Sequence, residues 1–174
     1  MTRWARAALV LGLAIWTIRF ARTPLSNDAM ASFLHLPDLV FHEAGHIIFS
    51  PFGQFMTVLG GSLLQVVIPI VAAIAFVRQE EPFGAAICAW WAGQNLVDLA
   101  PYIADARSLS LTLIGGKTGA EVEGHDWEFI LTQLGITHLD HAIGTATYAI
   151  GIITTLAALV YAGMTIVREP EPSE

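Results

Sequence analysis

His42 and His46 stand four residues apart in the string LPDLVFHEAGHIIFS, and Glu43 directly follows the first of them. On a helix this spacing puts both imidazoles on one face, one turn apart. Two such nitrogens can bind one zinc ion from the same side, and the adjoining carboxylate can reach the metal's water as a general base. Zinc lowers the pKa of that water to about 7, which makes a nucleophile available at neutral pH. Gly45 has no side chain, so backbone or substrate can come close to the pair. The surroundings sharpen the signal. Imidazoles and carboxylates in an apolar helix are costly at membrane depth unless they are paired or hold metal. The plainer alternative is a buried polar cluster that ties helices together.

A tetrahedral catalytic zinc takes three protein ligands and keeps one position open. The stretch WWAGQNLVDLAPYIADARS offers Asp98 and Asp105, seven apart, with Pro101 between them and Asn95 one turn earlier. Two helical turns place both carboxylates on one face, and the proline removes a backbone hydrogen bond. The string EGHDWEF offers His125 and Asp126. Each has a structural reading too. Asp98 could join two helices, Asp105 could pair with Arg107, and Asp126 could cap a short helix at 127–134. His35, His138 and His141 read as solvated interfacial residues.

These residues need helices to position them, and composition says what kind. The chain has 174 residues, 55% hydrophobic and only 13% charged, with a net charge of −7. Soluble domains carry about 25% charged residues, so this surface is short of solvating groups. Disorder, coiled coil, collagen and a disulfide scaffold are excluded as readings, and Cys88 alone cannot form an internal disulfide. The acidic balance argues against a nucleic-acid partner. No GxSxG, P-loop or dinucleotide fingerprint appears in the sequence.

A spanning helix needs about 20 apolar residues. Five candidate spans follow: 4–20, 36–50, 57–77, 83–103 and 142–167. The first reads as a retained anchor, because arginines follow it directly and no crisp cleavage site does. Basic residues divide evenly between the two sides, so orientation is not legible. The expected architecture is an all-α, multi-pass integral membrane protein, with one domain at 1–168. Its core covers 36–107, a long connector 104–140 has GGKTG at its centre, and a polar tail occupies 169–174.

With its histidines, glycines and Asn-Pro-Asp order, the chain resembles the site-2 protease family of intramembrane zinc metalloproteases over roughly residues 36–107. His42, Glu43 and His46 match that family's HExxH helix. Residues 58–69, VLGGSLLQVVIP, are similar to its glycine-containing turn and strand-like segment. Asn95, Pro101 and Asp105 follow the order of its N-x-x-P…L-D-G motif, although the spacing is longer and Ala106 replaces the glycine.

The resemblance implies a three-helix core and a zinc ion held by His42, His46 and Asp105, with Asp98 or His125 as the alternative third ligand. Glu43 would be the base. Asn95, Gly60 and Gly61 would bind the substrate backbone. The implied activity is hydrolysis of peptide bonds in a membrane protein or peptide, within the lipid bilayer. Two further readings share these residues: a zinc hydrolase of lipids or small amphiphiles, and a noncatalytic metal-binding scaffold.

Overall fold

Apolar runs broken by proline, glycine and charge fold into six helices in the computed structural model, which describes residues 1–26, 30, 32–113, 116–121 and 124–168. They are α1 (Arg3–Ala21), α2 (His35–Phe49), α3 (Gln54–Arg78), α4 (Pro82–Ala104), α5 (Asp126–Gln133) and α6 (Asp140–Arg168). No strand occurs among the described residues, only one isolated bridge between Thr112 and Thr118. The polar tail at 169–174 and part of the GGKTG connector lie outside the described residues.

Local chemistry sets the helix ends. Thr2 accepts from the Ala5 N–H and caps α1. A short 3-10 turn at Ser50–Phe52 carries Pro51, and Gly53 takes φ 91° to start α3. Pro82 opens α4, where its missing N–H has no intrahelical role. Residues 58–69, expected to be strand-like, are instead helical within α3. Once one face is packed under α2, an apolar run with few turn residues has no reason to leave the helix.

Three stretches are long and apolar enough to cross a membrane: Arg3–Ala21, Gln54–Arg78 and Thr137–Arg168. The other two expected spans differ for distinct reasons. α2 has 15 residues, which extend about 22 Å at 1.5 Å per residue and fall short of about 30 Å of hydrocarbon. α4 has 23 residues, but it carries Gln94, Asn95 and Asp98 and is buried along most of its length. It is the axis of the bundle, with α3 and α6 packed on it.

Glycines let the backbones meet. A Cβ on Gly151 would lie 2.7 Å from the Gly93 carbonyl oxygen, and one on Gly93 would lie 2.8 Å from that of Gly151. Gly144 packs the same way on Ala100. Close helix crossings in membranes depend on such small residues. α2 crosses α3 at Gly45 and Gly60, where a Cβ on Gly45 would collide with the Gly60 carbonyl. α1 is tied on by Trp90, whose Nε1 donates to Thr17 Oγ1 at 2.9 Å, and by Tyr148, whose hydroxyl donates to the Phe20 carbonyl at 2.9 Å.

The long connector is anchored at both ends. Arg107 pairs in a fork with the fully buried Asp140, at 2.8 and 2.7 Å. Pairing with Asp105, the alternative reading of that carboxylate, is not what Arg107 does. Asp105 instead folds the 108–111 turn over itself and accepts from Ser108, Ser110 and the Leu111 N–H.

Gly151→Ala is expected to lower the thermal unfolding midpoint in detergent, at a cost of about 1–3 kcal/mol for overpacking. Gly12→Ala, whose Cβ would meet nothing within 4 Å, should not lower it.

Candidate metal centre

α2 presents His42 and His46 toward α3 and α5, and Asp126 comes down from α5 to meet them. Asp126 Oδ2 lies 2.9 Å from His42 Nε2 and 3.3 Å from His46 Nε2. One ligand atom from each residue falls within 4.8 Å of the others. Tetrahedral zinc with bonds of about 2.0–2.1 Å spaces its ligand atoms about 3.3 Å apart, so the separations match.

Hydrogen bonds on the far side fix which nitrogen faces the centre. His46 Nδ1 lies 2.9 Å from the Thr57 carbonyl, which can only accept, so Nδ1 carries the proton. For His42 the argument runs through two residues. Gln65 Nε2 donates to Asp98 Oδ2 at 3.2 Å, which turns Gln65 Oε1 toward His42. That oxygen accepts from His42 Nδ1 at 3.0 Å. Both rings therefore turn Nε2 toward the Asp126 oxygen. Such an arrangement needs a positive charge among the three atoms, and metal-ligating histidines usually have this kind of outer partner.

The space is shaped for it. Gly61 of α3 lies against both imidazoles, and a Cβ there would come within 2.7 Å of His42 Nε2 and of His46 Nε2. The donor set of two imidazoles and one carboxylate suits zinc. The residues present therefore fit the implied metal.

Asp126 reaches the centre because it is spared capping duty. His125 is the N-cap of α5, its Nδ1 accepting from the Glu128 N–H at 3.1 Å. The expected cap was Asp126. Its N–H instead donates to the Tyr102 hydroxyl at 2.9 Å, and Trp127 Nε1 donates to Ser62 Oγ at 3.2 Å, which seats α5 on α3. Burial alone would push the Asp126 carboxyl up, but hydrogen bonds from His42 and His46 outweigh it and hold the group below its ordinary value. Burial pushes the His125 imidazole down, which keeps it neutral. Because Nδ1 accepts, the proton is on Nε2, 3.4 Å from Asp105 Oδ2.

The other expected ligands lie elsewhere. Asp105 spends both oxygens on the 108–111 turn, one layer behind His125. The cluster that the structure brings together has Asp126, and not Asp105, as its third member. Asp98 pairs with His35 Nδ1 at 2.9 Å and supports Gln65. His35 was expected at a solvated interface. Gly60 and Gly61 are buried inside α3. Asn95 is fully buried, its Nδ2 donating to the Trp91 carbonyl. Glu43 is exposed at the side of the cluster. Gln65 and Tyr102 were not anticipated, and only their placement on inward-facing helix positions could have suggested them.

One zinc-class ion per chain is expected by elemental mass spectrometry of the purified protein. His46→Ala, Asp126→Asn and Gly61→Ala should each lose it, while Asp105→Asn should retain it. Gln65→Leu should weaken metal binding by about 10–100-fold. Asp105→Asn should instead destabilise the connector in a pH-dependent way. Burial would raise the Asp105 carboxyl, but the Ser108, Ser110 and Leu111 donors lower it below 3.8. Its contribution is therefore complete above that value and lost as pH falls through the depressed one. Unfolding curves of wild type and variant should differ at neutral pH and converge in acid.

Comparison of the chain with family models, with curated proteins and with solved structures finds no match.

Proposed function

We propose that this chain is a multi-pass integral membrane zinc metallohydrolase, an intramembrane endopeptidase acting on apolar peptide segments that reach it from the bilayer. The meeting of Asp126 with His42 and His46 beside the exposed carboxylate of Glu43 carries the reading. A purely structural cluster would give Glu43 no reason to be there.

The surface around Glu43 supports the substrate class. Leu36, Val40, Glu43 and Ile47 follow the spacing of one helix face, and the three apolar members are exposed at 59%, 66% and 75%. A segment that reaches Glu43 must lie on this apolar stripe. That suits the side chains of a membrane segment and disfavours a charged soluble peptide. The resemblance to site-2 proteases points the same way, with the difference that the carboxylate ligand comes from α5, outside the resembling core.

In this proposal His42, His46 and Asp126 hold the zinc, which when bound supplies Lewis acidity to the scissile carbonyl. Glu43 takes a proton from the attacking water and returns it to the departing amine. The Tyr102 hydroxyl accepts from the Asp126 N–H, so its own proton remains available to hydrogen-bond a developing oxyanion. α5 closes the side of the centre where Trp127 meets Ser62, which limits water there.

Glu43→Gln is expected to retain zinc and lose about 10²–10⁴-fold in cleavage rate. The assay reconstitutes the protein in vesicles with panels of single-span membrane proteins and lipids, and reads products by mass spectrometry. Lipid fragments without peptide products would overturn the peptidase reading. Equal turnover by wild type and Glu43→Gln would overturn the role of Glu43.

A further inference from the structure

The two histidines of the centre are oriented by outer partners of different kinds. His46 Nδ1 donates to the Thr57 backbone carbonyl at 2.9 Å, an oxygen that α3 holds in place. His42 Nδ1 donates to Gln65 Oε1 at 3.0 Å, and a side-chain amide has two ends. Turned over, Gln65 would offer its nitrogen, a donor, to His42. Nδ1 would then have to accept, and the ring proton would move to Nε2. That proton would face Asp126 Oδ2, 2.9 Å away, and block the nitrogen from a metal ion. The direction of one amide therefore decides whether His42 is a ligand or a hydrogen-bond donor.

Asp98 settles that direction. Its Oδ2 lies 3.2 Å from Gln65 Nε2 and as a carboxylate oxygen can only accept, so the turned amide would set oxygen against oxygen. Gln65 and Asp98 are each 2% exposed, so neither has solvent to turn to, and two buried acceptors facing each other are costly. His35 holds the carboxylate from the other side, its Nδ1 donating to the same oxygen at 2.9 Å. The links run from His35 through Asp98 and Gln65 to His42. They leave α2 for α4 and α3, and return to α2 two turns further on.

We propose that Asp98 is a positioning residue of the metal centre: through Gln65 it holds His42 in the tautomer that leaves Nε2 free to ligate. The proposal rests on the metal reading given above and deepens it, and it does not depend on peptidase activity. The role differs from that of a ligand, because two hydrogen bonds separate Asp98 from His42. It also differs from joining α3 to α4. A structural bridge is served by either polarity of the hydrogen bond between positions 65 and 98. The His42 tautomer is set only when position 65 accepts from it. Removing such an outer partner of a metal-bound histidine typically costs about 10–100-fold in affinity.

The test is zinc affinity, measured by competition with a chelator, beside the thermal unfolding midpoint of each metal-free protein in detergent. Asp98→Asn can meet Gln65 in either direction, which frees the amide to turn. It should weaken zinc binding by about 10–100-fold. Combining it with Gln65→Glu exchanges the two chemistries: position 98 donates, position 65 can only accept, and the charge of the pair is kept. This double variant should recover most of the wild-type affinity. Wild-type affinity in folded Asp98→Asn overturns the proposal, as does a double variant that binds no better than the single one. Affinities that simply follow the metal-free midpoints overturn it too. Should the variants fold poorly, nitrogen NMR of the histidine-labelled, zinc-loaded wild type reads the tautomer directly. A proton on His42 Nδ1 is expected, and a proton on Nε2 overturns the proposal. A wild type that binds no zinc overturns the metal reading itself, and the proposal with it.

Discussion

His42 Nε2, His46 Nε2 and Asp126 Oδ2 converge, and only a positive charge among them, a proton or a metal ion, makes that meeting favourable. Much of the surrounding structure serves to hold this convergence. Thr57 and Gln65 set the tautomers, Asp98 and His35 set the Gln65 amide, and Gly61 keeps the space open. Each relation is enforced by an atom that can only donate or only accept. The centre is therefore specified by hydrogen-bond logic as much as by packing.

The helices divide the labour. α2 is too short to span hydrocarbon and carries the most chemistry, so its position must be borrowed from its neighbours. α3 supplies it at the Gly45–Gly60 crossing, and α4 supplies it through Trp91 and Asp98. α4 can hold so much buried polarity because α6 covers it through the Gly93–Gly151 contact, where lipid would otherwise have to.

The His42–His46 pair was legible in the sequence because its spacing and the helix period are one local fact. The helix limits near 4–20, 57–77, 83–103 and 142–167 were legible for the same reason, since apolar runs end where charge, proline or glycine begins. The third member of the cluster was legible only as one candidate among several. Asp126 is separated from His46 by 80 positions, and no period relates them. Asp105 had the better motif order, but four donors of the 108–111 turn claim its oxygens, and turns made by serines leave little trace in a linear pattern. The cap of α5 was assigned one residue late for a related reason. Histidine can accept through Nδ1 as aspartate does, and His125 holding that role is what frees Asp126. The status of α4 as axis and not as lipid-facing span depends on which neighbours cover it, which is a tertiary fact.

The same separation in sequence orders events in time. The chain is made from its N-terminus, so His42 and His46 are synthesised before the carboxylate that completes their cluster. Closing a connection of that length carries an entropic cost that grows only slowly with its size, and the Arg107–Asp140 fork and the Asp105 turn shorten the search by fixing the connector at either end. The centre is thus completed only when the connector brings α5 onto α2 and α3. A truncated chain lacking α5 carries the histidine pair without the finished trio, so the cluster depends on a segment outside the helix that bears the pair.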